Sequence, residues 1–152
     1  MRLRESATIA APADAIWSLI ADPVRQADWN PKVISVDRRT SGPCLFGERF
    51  DMIYRMRGRD HLTRVEVTAC QPPQHITFLH RPAAPAETWS AEISYDLTPH
   101  AHHTIIAQTI DLTHAAIPWP LRVLIPVIHR FGQAIGEPYL HRLKRLAENP
   151  AK

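Results

Sequence analysis

Cysteine is scarce in this chain of 152 residues. Its two cysteines, Cys44 and Cys70, belong to no Cys-x-x-Cys pair and to no Cys–His spacing, so they read as two unpaired thiols rather than as a metal or redox centre. Long apolar runs are missing too, since none reaches the ~18 residues that suggest a membrane span. The opening Met1-Arg2-Leu3-Arg4-Glu5-Ser6 lacks the apolar segment of a signal peptide. These absences lead to the expectation of a soluble cytoplasmic protein with reduced thiols. Charge of one sign is not concentrated anywhere. Fifteen arginines and three lysines are interspersed with fifteen acids for a net charge of +3, a solvated surface rather than a nucleic-acid footprint. Internal repeats and low-complexity segments are absent as well.

What is present is ordinary globular material. Apolar residues make up 45% and charged residues 22%, which argues against disorder. A chain of this length suits one domain, taken here as 1–152, and can bury roughly 70% of its unfolded surface without staples. Residues 2–10 read as an edge strand. Pro12 fits the first turn of a helix whose apolar face carries Ile16, Trp17, Leu19 and Ile20. Asp22-Pro23 ends that helix, a second short helix fits 23–29, and Asn30-Pro31 stops it.

From residue 32 the period changes to two. Val33, Ile34 and Val36 begin a strand, and Ser41-Gly42-Pro43 marks a turn. Phe50, Met52, Tyr54 and Met56 then alternate with Arg49, Asp51, Arg55 and Arg57, with Ile53 as the exception. Strands are expected at Leu62–Cys70, His75–Arg81, Thr88–Thr98 and Thr104–Leu112, with turns at Gln71-Pro72-Pro73-Gln74 and Pro99-His100-Ala101-His102. Short connections make this an antiparallel meander. From Ile117 to Glu148 the apolar positions step by three and four, which predicts a long helix. Pro126 and Pro138 lie inside it, so it should bend or break near Pro126 and near Gly136-Glu137-Pro138.

Four short motifs give this order a family likeness. Ala11-Pro12-Ala13-Asp14-Ala15-Ile16-Trp17 opens the first helix, and Ala21-Asp22-Pro23 through Trp29-Asn30-Pro31 leads into the second strand. Cys70-Gln71-Pro72-Pro73 precedes the fifth strand, and Tyr95-Asp96-Leu97-Thr98-Pro99 closes the sixth. Over nearly its whole length the chain resembles the START-like helix-grip superfamily (SRPBCC), in particular its bacterial polyketide cyclase/dehydrase and lipid-transport branch. The resemblance implies an α+β fold: a curved antiparallel sheet of about seven strands around a long, Pro-kinked C-terminal helix, with two short helices between strands 1 and 2. It also implies no metal centre and no obligatory cofactor. It does not choose among cyclases, carriers and partner-binding proteins.

The resemblance places a pocket between the concave sheet face and the last helix. Alternation then selects its sheet wall: Phe50, Met52, Tyr54 and Met56, with Phe78, Trp89, Ile93 and Tyr95 beyond. Leu124, Ile128, Phe131 and Ile135 would face it from the helix. The few polar atoms would come from Tyr54, Tyr95, Trp89, His80 and Gln108, the sparse polar lining typical of ligand sites. The plainer alternative is a filled core. Gly132, Gly136 and the two internal prolines tilt the reading towards a cavity.

His80 alternates with Ile76 and Phe78 and should face inward. It would be a proton-transfer group beside Tyr54 and Tyr95 if the chain is an enzyme, or else a strand-end histidine bonded to solvent or backbone. His129 is the next candidate. His100, His102 and His103 lack a carboxylate or cysteine at ligand spacing and read as a turn. Arg142, Lys144 and Arg145 suit a helix C-terminus.

Three functions therefore stay open. The favoured one is binding or transport of a small hydrophobic ligand such as a lipid, quinone or polyketide-like molecule. A polyketide cyclase, aromatase or dehydratase is the second, and a partner-binding protein with a vestigial pocket the third. The expected partner is the small ligand itself, with no nucleic acid and no integral membrane segment, in a monomer or homodimer.

Overall fold

The alternating segments pair into one sheet in the computed structural model, which describes residues 1–56, 58–115, 117–131 and 139–150. The element order is β1 (Arg2–Ile9), α1 (Ala13–Ile20), α2 (Pro23–Gln26), β2 (Val33–Asp37), β3 (Arg49–Met56), β4 (Arg59–Gln71), β5 (His75–Pro82), β6 (Ala91–Pro99), β7 (Thr104–Asp111), α3 (Trp119–Phe131) and α4 (Tyr139–Glu148). The seven strands lie in the order β1-β7-β6-β5-β4-β3-β2. Strands β2 to β7 are sequential antiparallel neighbours, and β1 pairs with β7 along its whole length. Ladder irregularities at Val33/Ser35 and Val67/Ala69 mark bulges, the usual device for bending a sheet. The result is the expected curved helix-grip sheet with two short helices after its first strand.

Local chemistry accounts for the breaks. The Asp22 side chain accepts the Val24 N–H at 3.0 Å, and Pro23 occupies the first turn of α2. Gly58, at a φ of +73°, starts β4 after the turn from β3, a conformation that a side chain would strain.

One face of the sheet carries the core. Ile9, Phe50, Met52, Val65, Val67, Ile76, Phe78, Ile93, Tyr95, Leu97 and Ile106 are buried there with α1 and the fully buried Trp29. The Trp29 indole N–H donates to the Leu19 carbonyl at 3.0 Å, which ties α1 to the start of β2. Helix α4 packs on β1 and α1 through Leu140, Leu143 and Ala147. At its end Glu148 accepts the Ala10 N–H at 2.8 Å.

Three features depart from expectation. Strand β6 begins at Ala91 rather than Thr88, because pairing with β5 stops at His80↔Ala91 and the Ser90 N–H goes instead to the His114 carbonyl. Of the bend or break expected at Pro126, the break does not occur: α3 continues through it, and the donor that proline lacks would have served a carbonyl at the exposed Arg122. Leu124 is 48% exposed rather than turned inward, while Leu121 and Ile125 of the same helix are half-buried. Gly132, Ile135, Gly136 and Pro138 lie outside the described residues, as do the side chains of Met56, Ile128, His129 and Phe131. Among the described residues no helix is long and apolar enough to cross a membrane.

Candidate functional site

The inner sheet face divides into a packed aromatic chain and a polar seam. Phe50 meets Phe78 edge-to-face at 6.4 Å, Phe78 meets Tyr95 at 6.4 Å, and Tyr95 meets Trp29 at 6.1 Å. Such contacts are cohesive in themselves, so these rings form wall and core at once. Met52 and Ile93 are buried in the same face. Trp89 is not in the wall: it precedes β6, and its indole N–H donates to Glu87 Oε2 at 2.7 Å.

The seam begins at Gln108 on β7. Its Nε2 donates to the Tyr95 hydroxyl at 3.1 Å, and both residues are buried. Burial and the Tyr54 phenol hold Tyr95 well above the usual phenol range, against the lowering effect of the Gln108 bond. Glu5 of β1 stands opposite Gln108 on the same face. Farther along, the Tyr54 ring lies 5.5 Å from the ring of His80. His80 is 6% exposed, and burial pushes its pKa down to about 4.

Sequence reasoning missed three members of the seam. Lys32 places its Nζ 5.2 Å from the centre of the Tyr139 ring, and Asn30 lies beside the Tyr54 hydroxyl. Burial raises the Tyr54 pKa against the pull of Lys32 and Asn30. Burial also disfavours the Lys32 charge, but Tyr54, Tyr139 and the more remote Glu5 outweigh it and raise the lysine pKa. Asn30 and Lys32 flank Pro31 in a segment without periodicity, and Tyr139 opens α4; only their polarity among apolar neighbours marked them.

The outer face is different. A groove of about 760 Å³ runs there beside the β2–β3 loop, lined by Arg49, Asp51, Arg64, Glu66 and Arg81 among others. Its charges pair across strands: Arg49 and Arg81 each reach Glu66 at 3.4 Å, and Arg64 reaches Asp51 at 3.9 Å. This is a solvated ion-pair lattice, and its volume does not make it the ligand site. Also on this face, His75 Nδ1 lies 2.6 Å from Asp96 and its Nε2 2.9 Å from Thr77. His75 and Asp96 are direct cross-strand partners, and Thr77 is 9% exposed, so the trio reads as a sheet-stabilising ladder. His100 and His103 stack at 4.7 Å in their turn. Cys44 and Cys70 are free thiols, and Cys70 Sγ donates to the Cys44 carbonyl at 3.6 Å. Among the described residues no cluster of histidine, cysteine and carboxylate is arranged to hold a metal.

A bent antiparallel sheet with short helices after β1 and a C-terminal helix against its inner face defines the helix-grip class. The chain belongs to the polyketide cyclase/dehydrase and lipid transport family, whose sequence model matches residues 1–148. Among curated proteins no sequence matches it. Solved structures share the fold at low identity. A START superfamily protein from Mycobacterium smegmatis is 14% identical, with 99% of each chain covered and a TM-score of 0.69. The major latex-like protein 151 of Panax ginseng is 13% identical, with 97% of each chain covered and a TM-score of 0.66. The Aha1 dimer from Colwellia psychrerythraea is 16% identical, covering 100% of this chain and 99% of its own, with a TM-score of 0.64.

Proposed function

We propose that this chain binds a small hydrophobic ligand between the inner sheet face and the C-terminal helical segment, as a carrier rather than a catalyst. The observation that carries this reading is the make-up of the inner face: buried apolar side chains such as Phe50, Met52, Phe78 and Ile93, with a few polar groups, His80, Tyr54, Tyr95 and Gln108, among them. Ligand sites have this character, with apolar walls supplying affinity and sparse polar groups fixing orientation. The family description, which couples cyclisation with lipid transport, agrees with a hydrophobic cargo.

Catalysis is the second reading, favoured by the Tyr54–His80 contact. Proton transfer is most effective when the group's pKa lies near the working pH. Burial moves His80 down to about 4 and moves both tyrosines up, away from neutrality in opposite directions. This detuning is why the carrier reading stands first.

Native mass spectrometry of the purified protein, followed by solvent extraction, tests the proposal. A hydrophobic molecule retained in stoichiometric amount is the expected result. No retained molecule, together with no uptake of fatty acids, quinones or aromatic polyketides, would refute it. An enzyme would instead turn over a poly-β-keto substrate and lose that turnover in His80→Ala.

A further inference from the structure

The polar seam has a chemical bias that the apolar walls lack. Lys32, just before β2, holds its ammonium over the Tyr139 ring and within electrostatic reach of the Tyr54 hydroxyl. Phenols stabilise an ammonium through the ring face and the oxygen lone pairs, but they leave its charge uncancelled. Glu5 adds a smaller electrostatic pull on the same ammonium. Tyr54 bridges from this cation to His80, whose ring is 5.5 Å from its own. An ammonium, a phenol O–H and an imidazole N–H thus follow one another along the inner face, half-buried at Lys32 and Tyr54 and buried at His80, with one positive charge among them. A row of donors around a single cation, partly shielded from water, is the complement of a single oxyacid group.

We propose that Lys32, Tyr54 and His80 form a headgroup subsite for a hydrophobic ligand that ends in an ionised carboxylate. The assignment rests on the ligand-binding reading above. One carboxylate oxygen accepts from the Lys32 ammonium and the Tyr54 hydroxyl. The other accepts from His80 in the tautomer that turns its N–H towards it. The hydrocarbon part lies against Phe78 and Ile93, which are buried on the same face.

The test compares dodecanoic acid with dodecanol, two probes of equal chain length, by isothermal titration of the full chain at pH 8. The acid is expected to bind about tenfold more tightly or better, the gain of one charge-assisted hydrogen bond. In Lys32→Met the acid should fall to the level of the alcohol while the alcohol stays unchanged. Lys32→Arg, which keeps the charge, should retain the preference and covers the case in which Lys32→Met does not fold. Equal binding of both probes by the unmodified chain would overturn the headgroup assignment and leave the ligand-binding reading standing. So would a preference that survives in Lys32→Met. If neither probe binds, both are overturned.

Discussion

Helices α3 and α4 are of similar length in one C-terminal segment, yet they relate to the sheet in opposite ways. In α4 the apolar residues Leu140, Leu143 and Ala147 are buried on β1 and α1, while His141 and Arg145 face outward. In α3, Trp119, Val123, Leu124 and Val127 are between 48% and 75% exposed. The difference is one of packing rather than of pattern, since both helices are two-faced. In α4 the apolar side meets β1 and α1 and is buried, and the polar side is wet. Among the described side chains of α3 only Leu121 and Ile125 are half-buried, and Leu124 stays exposed. An apolar side fixes a helix only where it meets a surface to pack on.

The largest effect that would sharpen this contrast comes from deleting side-chain carbons on each helix. Leu143→Ala should cost about 2–5 kcal/mol in urea denaturation, because Leu143 is fully buried and leaves a cavity. Val123→Ala, a similar truncation on the exposed side of α3, should stay within about 0.5 kcal/mol. Comparable losses at the two sites would erase the distinction.

Next in size is the pH response of the buried face. His80 titrates near its ordinary 6.5 in the unfolded chain and at about 4 in the folded one. Between those values the unfolded state binds the extra proton, so stability falls as pH drops through this window, by at most about 3 kcal/mol. Above pH 6.5 the term vanishes. Denaturation midpoints measured from pH 7 to pH 4 should show this slope, and His80→Phe should flatten it. Asp111 and Asp60, held low by hydrogen bonds from Thr113 and Arg2 and from Arg55, respond only at more acidic pH.

A smaller effect belongs to the anchoring of α4. Glu148→Ala removes the acceptor of the Ala10 N–H and should cost about 1 kcal/mol, read as a lowered unfolding midpoint. The smallest concerns Trp119. Trp119→Ala should leave stability within about 0.5 kcal/mol, since the ring is 75% exposed. A larger loss would mean that α3 buries more than its exposed side chains indicate.

Much of the sheet was legible because alternation is a local signal. Phe50 and Met52 on β3, and Ile93, Tyr95 and Leu97 on β6, follow their period and are buried. The Asp22-Pro23 break was legible for the same reason, since a capping side chain and a proline act within a few residues. The start of β6 was not, because strand length is set by its neighbour: β5 ends its pairing at Ala91, and Trp89 loses the inward place that alternation assigned to it. The exposure of Leu124 was also hidden, because it depends on what the helix packs against and not on the helix's own period. At the site, His80, Tyr54, Tyr95 and Gln108 could be named from strand period. Lys32, Asn30 and Tyr139 could not: the first two precede a strand whose pairing of Val33 with Tyr54 sets them beside it, and Tyr139 joins them only through the placement of α4. Arg38 was equally invisible. Its guanidinium is 3% exposed and pairs with Glu48 at 2.7 Å and with Asp22 at 3.6 Å, partners separated in sequence and joined only by the fold.

The central claim is that the inner sheet face, not the exposed side of α3, receives the ligand. Isotope-filtered NOE spectroscopy of the labelled protein with unlabelled dodecanoic acid tests this most directly. The account predicts contacts from the acyl chain to Phe78, Ile93 and Met52, with the carboxyl end near Tyr54. Contacts confined to Trp119, Val123 and Val127, or none to the inner face, would contradict it.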